Sequence, residues 1–273
     1  MSSPLRAADS RPLAVITGAS EGIGRDLAEL YAAAGHDVAL VARREALLRE
    51  LAGELAERHG ARCTIVPADL ARAEECERVV QLLEPDRARI VALVNNAGFG
   101  SLGWFHETPL ERDLAQIDVN VSALTHLTKR VLPWMRANGR GHVMNMASVA
   151  SFQPGPLMAV YYASKAYVLS FSEALANECR GSGVSVTAVC PGPTTTGFQR
   201  RAGVPPNARA GGAPAMSSRA VAELAFRGAL AGTPVVVTGV RNRVAAFFGR
   251  HLPRAVTARV VRRIQEGRMG GTE

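Results

Sequence analysis

The chain has 273 residues, 47% hydrophobic and 21% charged. That suits one large α/β domain or two small ones and excludes disorder as the main state, since so much apolar surface offsets the entropy of ordering. The net charge is +8, but after residue 240 eight arginines face only Glu266 and Glu273, so most of the excess belongs to the tail and gives no argument for nucleic acid.

In chain order, Leu13–Thr17 is a short apolar run that ends in glycines, followed by helical spacing from Gly24 to Ala34. Val38–Ala42 is apolar again and precedes a charged amphipathic stretch from Glu45 to Arg58. Cys63–Val66, a helical 74–83, Ile90–Val94 and one long helical pattern from Leu110 to Met135 follow. Then come His142–Met146, a helix from Tyr161 to Cys179, Val184–Val189, a helix near Arg219–Leu230 and a last strand at Val235–Thr238. Seven runs that are apolar throughout, separated by helices, predict strands buried on both faces. The fold class is therefore α/β, a doubly wound, Rossmann-like parallel seven-stranded sheet with helices on both faces and ligands at the carboxyl ends of the strands. No linker or repeat divides residues 12–240, which read as one domain between a flexible tail (1–11) and a basic extension (241–273).

The first strand runs into Thr17-Gly18-Ala-Ser-Glu-Gly22-Ile-Gly24. Glycines here let the backbone approach a pyrophosphate at a helix N-terminus, where free N–H groups and the dipole favour an anion. The spacing is one residue wider than the usual dinucleotide fingerprint; its place after the first strand lifts it above a plain tight turn. The second strand ends Ala42-Arg43-Arg44. An acid at that place would favour NAD, whereas arginine suits the 2′-phosphate of NADP, so NADP is expected with NAD the alternative.

Tyr161 and Lys165 are four residues apart and share a helix face, and an ammonium near a phenol lowers its pKa toward acid–base use. Tyr162 stands next to Tyr161 at a spacing of three from Lys165, and Ser151 competes with Ser148 as a hydroxyl placed to hydrogen-bond a substrate oxygen after the fifth strand.

Taken in order, Thr17-Gly18…Gly22-x-Gly24, Asp69-Leu70, Asn95-Asn96-Ala97-Gly98, Asn120, Ser148, Tyr161-x-x-x-Lys165 and Pro191-Gly192 resemble the short-chain dehydrogenases/reductases in their single-domain form, over about residues 12–240. The resemblance selects Tyr161 over Tyr162 and, by its spacing of thirteen, Ser148 over Ser151. It implies an oxidoreductase with Tyr161 as acid/base, Lys165 as its tuner, Ser148 as oxyanion partner and Asn120 positioning a water for a proton relay. It further implies a cofactor held by Thr17, Gly18, Ser20, Gly22, Ile23, Gly24, Arg43, Arg44, Asp69, Leu70, Asn95, Ala97, Gly98, Tyr161, Lys165, Pro191, Gly192, Thr194 and Thr196. Two positions depart from the family pattern: Ala123 replaces a frequent glycine, and Glu21 stands where many NADP-preferring relatives carry a basic residue. A homodimer or homotetramer is the family habit.

Phe198–Ser218 reads as a long loop over the strand ends, and Phe99, Leu102, Trp104, Phe105, Phe152, Leu157 and Met158 on neighbouring loops make the expected substrate lipophilic. In the tail, Val256, Val260 and Ile264 form one apolar line flanked by arginines. Such a helix suits either an anionic membrane surface or packing on the domain or a second subunit. Four cysteines without metal-ligand spacing read as reduced thiols, and the polar N-terminus lacks a signal or anchor, so the expected place is the cytoplasm, with membrane association through the tail as the variant. No His cluster suggests a metal. The rivals to a soluble reductase are a nucleotide-binding regulator that has lost turnover and a membrane-associated lipid or ketoacyl reductase.

Overall fold

Every side chain of Leu13–Thr17 (β1) is buried, and a strand hidden on both faces needs helices on both sides of its sheet. A computed structural model of the protein describes residues 11–204 and 215–269, and it has this arrangement. The strands after β1 are Asp37–Ala42 (β2), Cys63–Pro67 (β3), Ile90–Asn95 (β4), Gly141–Met146 (β5), Val184–Cys190 (β6), the two-residue pair Thr194–Thr195 (β7) and Met216–Ser217 (β8), and Val235–Val237 (β9). Seven of them form one parallel sheet in the order β3-β2-β1-β4-β5-β6-β9, and β7 pairs with β8 apart from it. The expected doubly wound sheet is present. Its winding reverses between β1 and β4, which opens a crevice at their carboxyl ends.

Alternation along β1 divides the core. Leu13 and Val15 face one layer, with Val79 and Val80 of Ala73–Leu83 (α3) and Leu127 and Val131 of Leu124–Ala137 (α5). Ala14 and Ile16 face the other, with Leu27 and Tyr31 of Gly22–Ala33 (α1), Leu48 and Leu51 of Glu45–His59 (α2), and Ala222 and Ala225 of Ser218–Leu230 (α8). His142 packs in this second layer, stacked on Tyr31, and burial pulls its pKa down to about 4. It is a neutral core histidine.

The single long helix expected over 110–135 is interrupted. Leu110–Ile117 (α4) passes through a π-helical turn, Asp118–Ala123, into α5. A π turn holds one residue more than an α turn, so apolar spacing alone does not reveal it. The next helix, Ala159–Glu178 (α6), begins after Leu157, whose φ of 67° lies in the left-handed region that non-glycine residues seldom enter. Within the loop expected over 198–218, Phe198–Arg201 is a short helix (α7), Met216–Ser217 is β8, and 205–214 lies outside the described residues, as do residues 1–10 of the expected tail.

The basic extension forms Val240–His251 (α9) and Arg254–Met269 (α10). The apolar line expected to face either a membrane or a packing partner does not pack on the domain. Val256, Val260 and Ile264 are exposed, while Thr257, Val261 and Gln265 face inward. The rotation follows from what α10 meets: Gln265 hydrogen-bonds the Tyr162 hydroxyl at 3.1 Å, and the Arg262 guanidinium lies 5.1 Å from the centre of the Trp104 ring.

Candidate active site

The turn after β1 is shaped by three glycines that tolerate no side chain. Gly18 and Gly22 have φ of 66° and 57°. A Cβ on Gly24 would stand 2.3 Å from the Gly18 carbonyl oxygen. Glu21 caps the start of α1 without a side-chain hydrogen bond, so the first-turn N–H groups keep their capacity for an anion. Asn96 braces this turn by donating from Nδ2 to the carbonyls of Thr17 (2.9 Å) and Gly18 (3.3 Å). Thr17 Oγ1 in return accepts the N–H groups of Asn96 and Ala97, each at 3.0 Å. The two loops at the crevice are thereby one unit.

A cavity of about 860 Å³ runs along this crevice, and Gly18, Ser20, Gly22, Ile23, Arg43, Arg44, Asp69, Leu70, Ala97, Gly98, Ser148, Tyr161, Lys165, Pro191, Gly192, Thr194 and Thr196 all line it. Thr17, Gly24, Asn95 and Asn120 are the expected site residues that do not. Thr17 and Gly24 shape the turn from behind. Asn95 is buried beneath the site, where its Nδ2 donates to Thr128 Oγ1 at 2.9 Å and Asn145 Oδ1 at 2.8 Å.

Ser148 begins a short 3₁₀ turn (149–152), and its Oγ accepts the Ala150 N–H at 3.1 Å. Ser151 turns the other way, donating to the Lys165 carbonyl at 2.7 Å and standing outside the cavity lining, so position separates the two serines. Tyr161 and Tyr162 both line the cavity, yet their hydroxyls differ: that of Tyr162 is taken by Gln265, whereas that of Tyr161 interacts with Ser148.

Lys165 is buried, donates from Nζ to the Met146 carbonyl at 2.7 Å, and lies 5.9 Å from the centre of the Tyr161 ring. Burial pulls its pKa down to about 8. The expected lowering of the Tyr161 pKa is not what the structure has. Burial pushes that phenol up to about 12, and the Ser148 hydrogen bond only partly offsets the rise. The Lys165 ammonium donates to a backbone carbonyl rather than to the hydroxyl, and it stays close to the ring that would carry the phenolate.

Asn120 sits inside the π turn and is 1% exposed. Its Oδ1 accepts the Phe99 N–H at 3.1 Å, and its Nδ2 donates to the Phe99 carbonyl and Ser164 Oγ, each at 3.0 Å. Its amide thus pins the loop after β4 to α6. A Cβ on Gly98 would stand 2.9 Å from Asn120 Oδ1 and 3.3 Å from Lys165 Nζ, so a side chain here would crowd both groups.

At the opposite end, Arg44 pairs with Glu21 at 2.9 Å and donates to Ser20 Oγ at 2.9 Å. Glu21 also pairs with Arg201. The acid that departs from the NADP pattern is therefore neutralised, and Arg43, exposed at the end of β2, has no ion pair among the described residues. The glycine cradle, the uncapped helix start and this arginine fit a dinucleotide with an extra phosphate.

Several lining residues were not singled out in the sequence as site residues: Asn96, Arg112, Arg200, Arg201, Gln265 and Arg268. Asn96 follows the Asn95 of the motif and was within reach of sequence reasoning. Gln265 and Arg268 arrive from the far end of the chain, and nothing in their local pattern announces it.

A family model described as short chain dehydrogenase matches residues 12–204. A 7beta-hydroxysteroid dehydrogenase of Collinsella aerofaciens is 35% identical over 67% of the chain and 68% of its own length. A very-long-chain 3-oxoacyl-CoA reductase of Anas platyrhynchos is 35% identical over 65% of the chain, a match that spans 58% of that longer relative. Among solved structures, a short-chain dehydrogenase from Sphingobium yanoikuyae in complex with NADPH is 36% identical with a TM-score of 0.79, covering 87% of this chain and 92% of that one.

Proposed function

The chain belongs to the short-chain dehydrogenase/reductase family, and we propose that it is an NADP-dependent oxidoreductase acting on a carbonyl or secondary alcohol of a lipophilic compound. The observation that carries this reading is a single cavity lined both by the glycine turn with Arg43 and by Ser148, Tyr161 and Lys165. The NADPH bound by the Sphingobium relative supports the cofactor, and the hydroxysteroid and oxoacyl names of the other relatives support a lipophilic substrate.

The cofactor supplies or accepts the hydride. The chain's own residues do the rest. The glycine turn and the N-terminus of α1 would hold the pyrophosphate, and Arg43 would supply a cation for the 2′-phosphate. Ser148 donates to the substrate oxygen as negative charge grows there. Tyr161 gives that oxygen its proton in reduction and takes it back in oxidation. A phenol held near 12 stays protonated at neutral pH and is set for the donating direction. Lys165, still mostly charged at neutral pH, supports the phenolate left behind. Asn120 acts on the proton path as a positioning residue, through the Phe99 loop that it ties to Ser164.

The test is titration of the purified protein with NADP and NAD, followed by a panel of lipophilic ketones and alcohols monitored by NADPH absorbance. NADP binding at least about tenfold tighter than NAD, with turnover of some panel members, is expected from one charge-assisted contact. Cofactor binding without turnover anywhere in the panel would establish the rival reading, a nucleotide-binding regulator.

A specific observation favours work at a membrane surface. Val240, Val244, Phe247, Phe248, Leu252, Val256, Val260 and Ile264 are all exposed, interleaved with exposed Arg241, Arg243, Arg250, Arg254, Arg259 and Arg263. Apolar side chains among arginines suit an anionic lipid surface. Among the described residues no helix is long and apolar enough to cross a membrane. Co-sedimentation with phosphatidylglycerol vesicles, lost in Phe247→Ser/Phe248→Ser, is expected; equal recovery with and without vesicles would sink the idea. Self-association follows the family habit, and exposed Leu110, Leu114 and Ile117 on one face of α4 offer a surface for a second copy, to be tested by light scattering of Leu114→Glu.

A further inference from the structure

Charge is unevenly spread around the cavity. Its only lining carboxylates among the described residues are Glu21 and Asp69, both at the glycine-turn side, and Glu21 is already matched by Arg44 and Arg201. Around Tyr161 the walls are apolar: Phe198 packs 5.2 Å from its ring, and Met158 crowds the same point beside Gly100. Past Tyr162 the lining ends in Gln265 and Arg268.

Arg268 is held there by other side chains rather than by an acid. Its Nη1 donates to Gln265 Oε1 at 3.2 Å, and Gln265, 1% exposed, donates from Nε2 to the Tyr162 hydroxyl at 3.1 Å. The Tyr162 ring stands edge-on to Tyr161, with centres 6.0 Å apart. Burial pushes the Tyr162 phenol up, while the Gln265 hydrogen bond and the nearby Arg268 charge oppose that rise. A relay of three side chains therefore seats a guanidinium at the rim of the apolar pocket beside Tyr161. No carboxylate of the described residues pairs with it. An arginine fork in such a place matches a carboxylate, which it binds through two parallel N–H bonds.

We propose that Arg268, seated by Gln265 and Tyr162, is the carboxylate-binding end of the substrate site, and that the substrate is a lipophilic ketone or alcohol bearing a carboxylate remote from the reacting carbon. The assignment rests on the hydride-transfer reading above and names the substrate class for it. It also gives the C-terminal helix a part in recognition, which fits its inward rotation about Gln265.

Matched probes separate charge from shape: 4-benzoylbenzoate and its methyl ester are bulky ketones with one skeleton. Both are titrated calorimetrically into the full-length, NADP-loaded protein, and both are assayed for NADPH oxidation. The acid is expected to bind at least about tenfold more tightly than the ester, the range of one charge-assisted pair. Arg268→Gln should bring that ratio close to one, while Arg263→Gln, exposed on the same helix and outside the cavity lining, should keep it. A wild-type protein indifferent to the acid, or an Arg268→Gln variant that retains the preference, overturns the assignment. So does an Arg268→Gln variant whose NADP affinity drops as much as its acid affinity, since the arginine would then serve the cofactor. Preference for the acid without NADPH oxidation would uphold the subsite and sink the oxidoreductase reading; oxidation of both probes at equal efficiency would do the reverse.

Discussion

Tyr161 and Lys165 are displaced by the same cause in the senses their charges dictate. Burial penalises the phenolate and pushes Tyr161 up to about 12; it penalises the ammonium and pulls Lys165 down to about 8. On the proposed reading, reduction needs Tyr161 protonated and Lys165 charged. The first condition holds across the working range, and the second is lost as pH rises through about 8. The kcat/KM for carbonyl reduction should therefore fall on the alkaline side of about pH 8, and Lys165→Arg, which keeps its charge, should remove that limb from the profile. A profile flat to pH 10 in the wild type would contradict this. At the other end of the cavity, Arg43→Ala should raise the KM for NADP about 10- to 100-fold, the range of one charge-assisted hydrogen bond, and leave that for NAD within about twofold. Steady-state kinetics with both cofactors checks it.

At the scale of elements, the π turn and the loop after β4 work as a pair. Asn120 holds Phe99 from both its amide and its carbonyl side, and Gly98 leaves the space that Asn120 and Lys165 border. Gly98→Ala should lower kcat/KM at least about tenfold and cost about 1–3 kcal/mol by overpacking, a fall of several degrees in Tm. Full activity in a folded Gly98→Ala protein would remove the loop from the account. The strands and the glycine turn were legible in the sequence because their signals are local: an apolar run such as Leu13–Thr17 needs no distant partner to be read. The cavity lining of Ser148, Tyr161 and Lys165 was legible through ordered motifs, and that of Arg43 through its place at the end of the second strand. The π turn was hidden because one extra residue barely disturbs apolar spacing, and the helix start at α6 depends on an unusual φ at Leu157 that no propensity predicts. The Tyr161 pKa went the other way from expectation because the phenol is buried, which a spacing of four from Lys165 does not reveal.

For the molecule as a whole, doubly wound topology explains why residues from Gly18 to Thr196 converge, since each sits near the carboxyl end of a strand and the winding reverses between β1 and β4. The C-terminal helices follow no such rule. The apolar line Val256, Val260 and Ile264 suited either a membrane or a packing partner, yet α10 turns Thr257, Val261 and Gln265 inward, where Gln265 hydrogen-bonds Tyr162. Gln265→Leu should thus raise the KM for carbonyl substrates about 3- to 10-fold with the KM for NADPH unchanged, the loss of one buried hydrogen bond felt only at the substrate end. An equal rise in both would show that α10 merely stabilises the fold. The basic balance of the chain resolves into two places: Arg43 and Arg44 beside the cofactor cleft, and an arginine-rich tail that closes one side of the pocket and presents the rest to its surroundings.

The central claim is that Tyr161 moves the proton that accompanies hydride transfer. Tyr161→Phe keeps the ring against Phe198 and removes only the hydroxyl. Single-turnover oxidation of bound NADPH by a ketone that the wild type reduces should slow about 10²- to 10⁴-fold in this variant, with NADPH affinity unchanged. A Tyr161→Phe protein that oxidises NADPH at the wild-type rate would contradict the account.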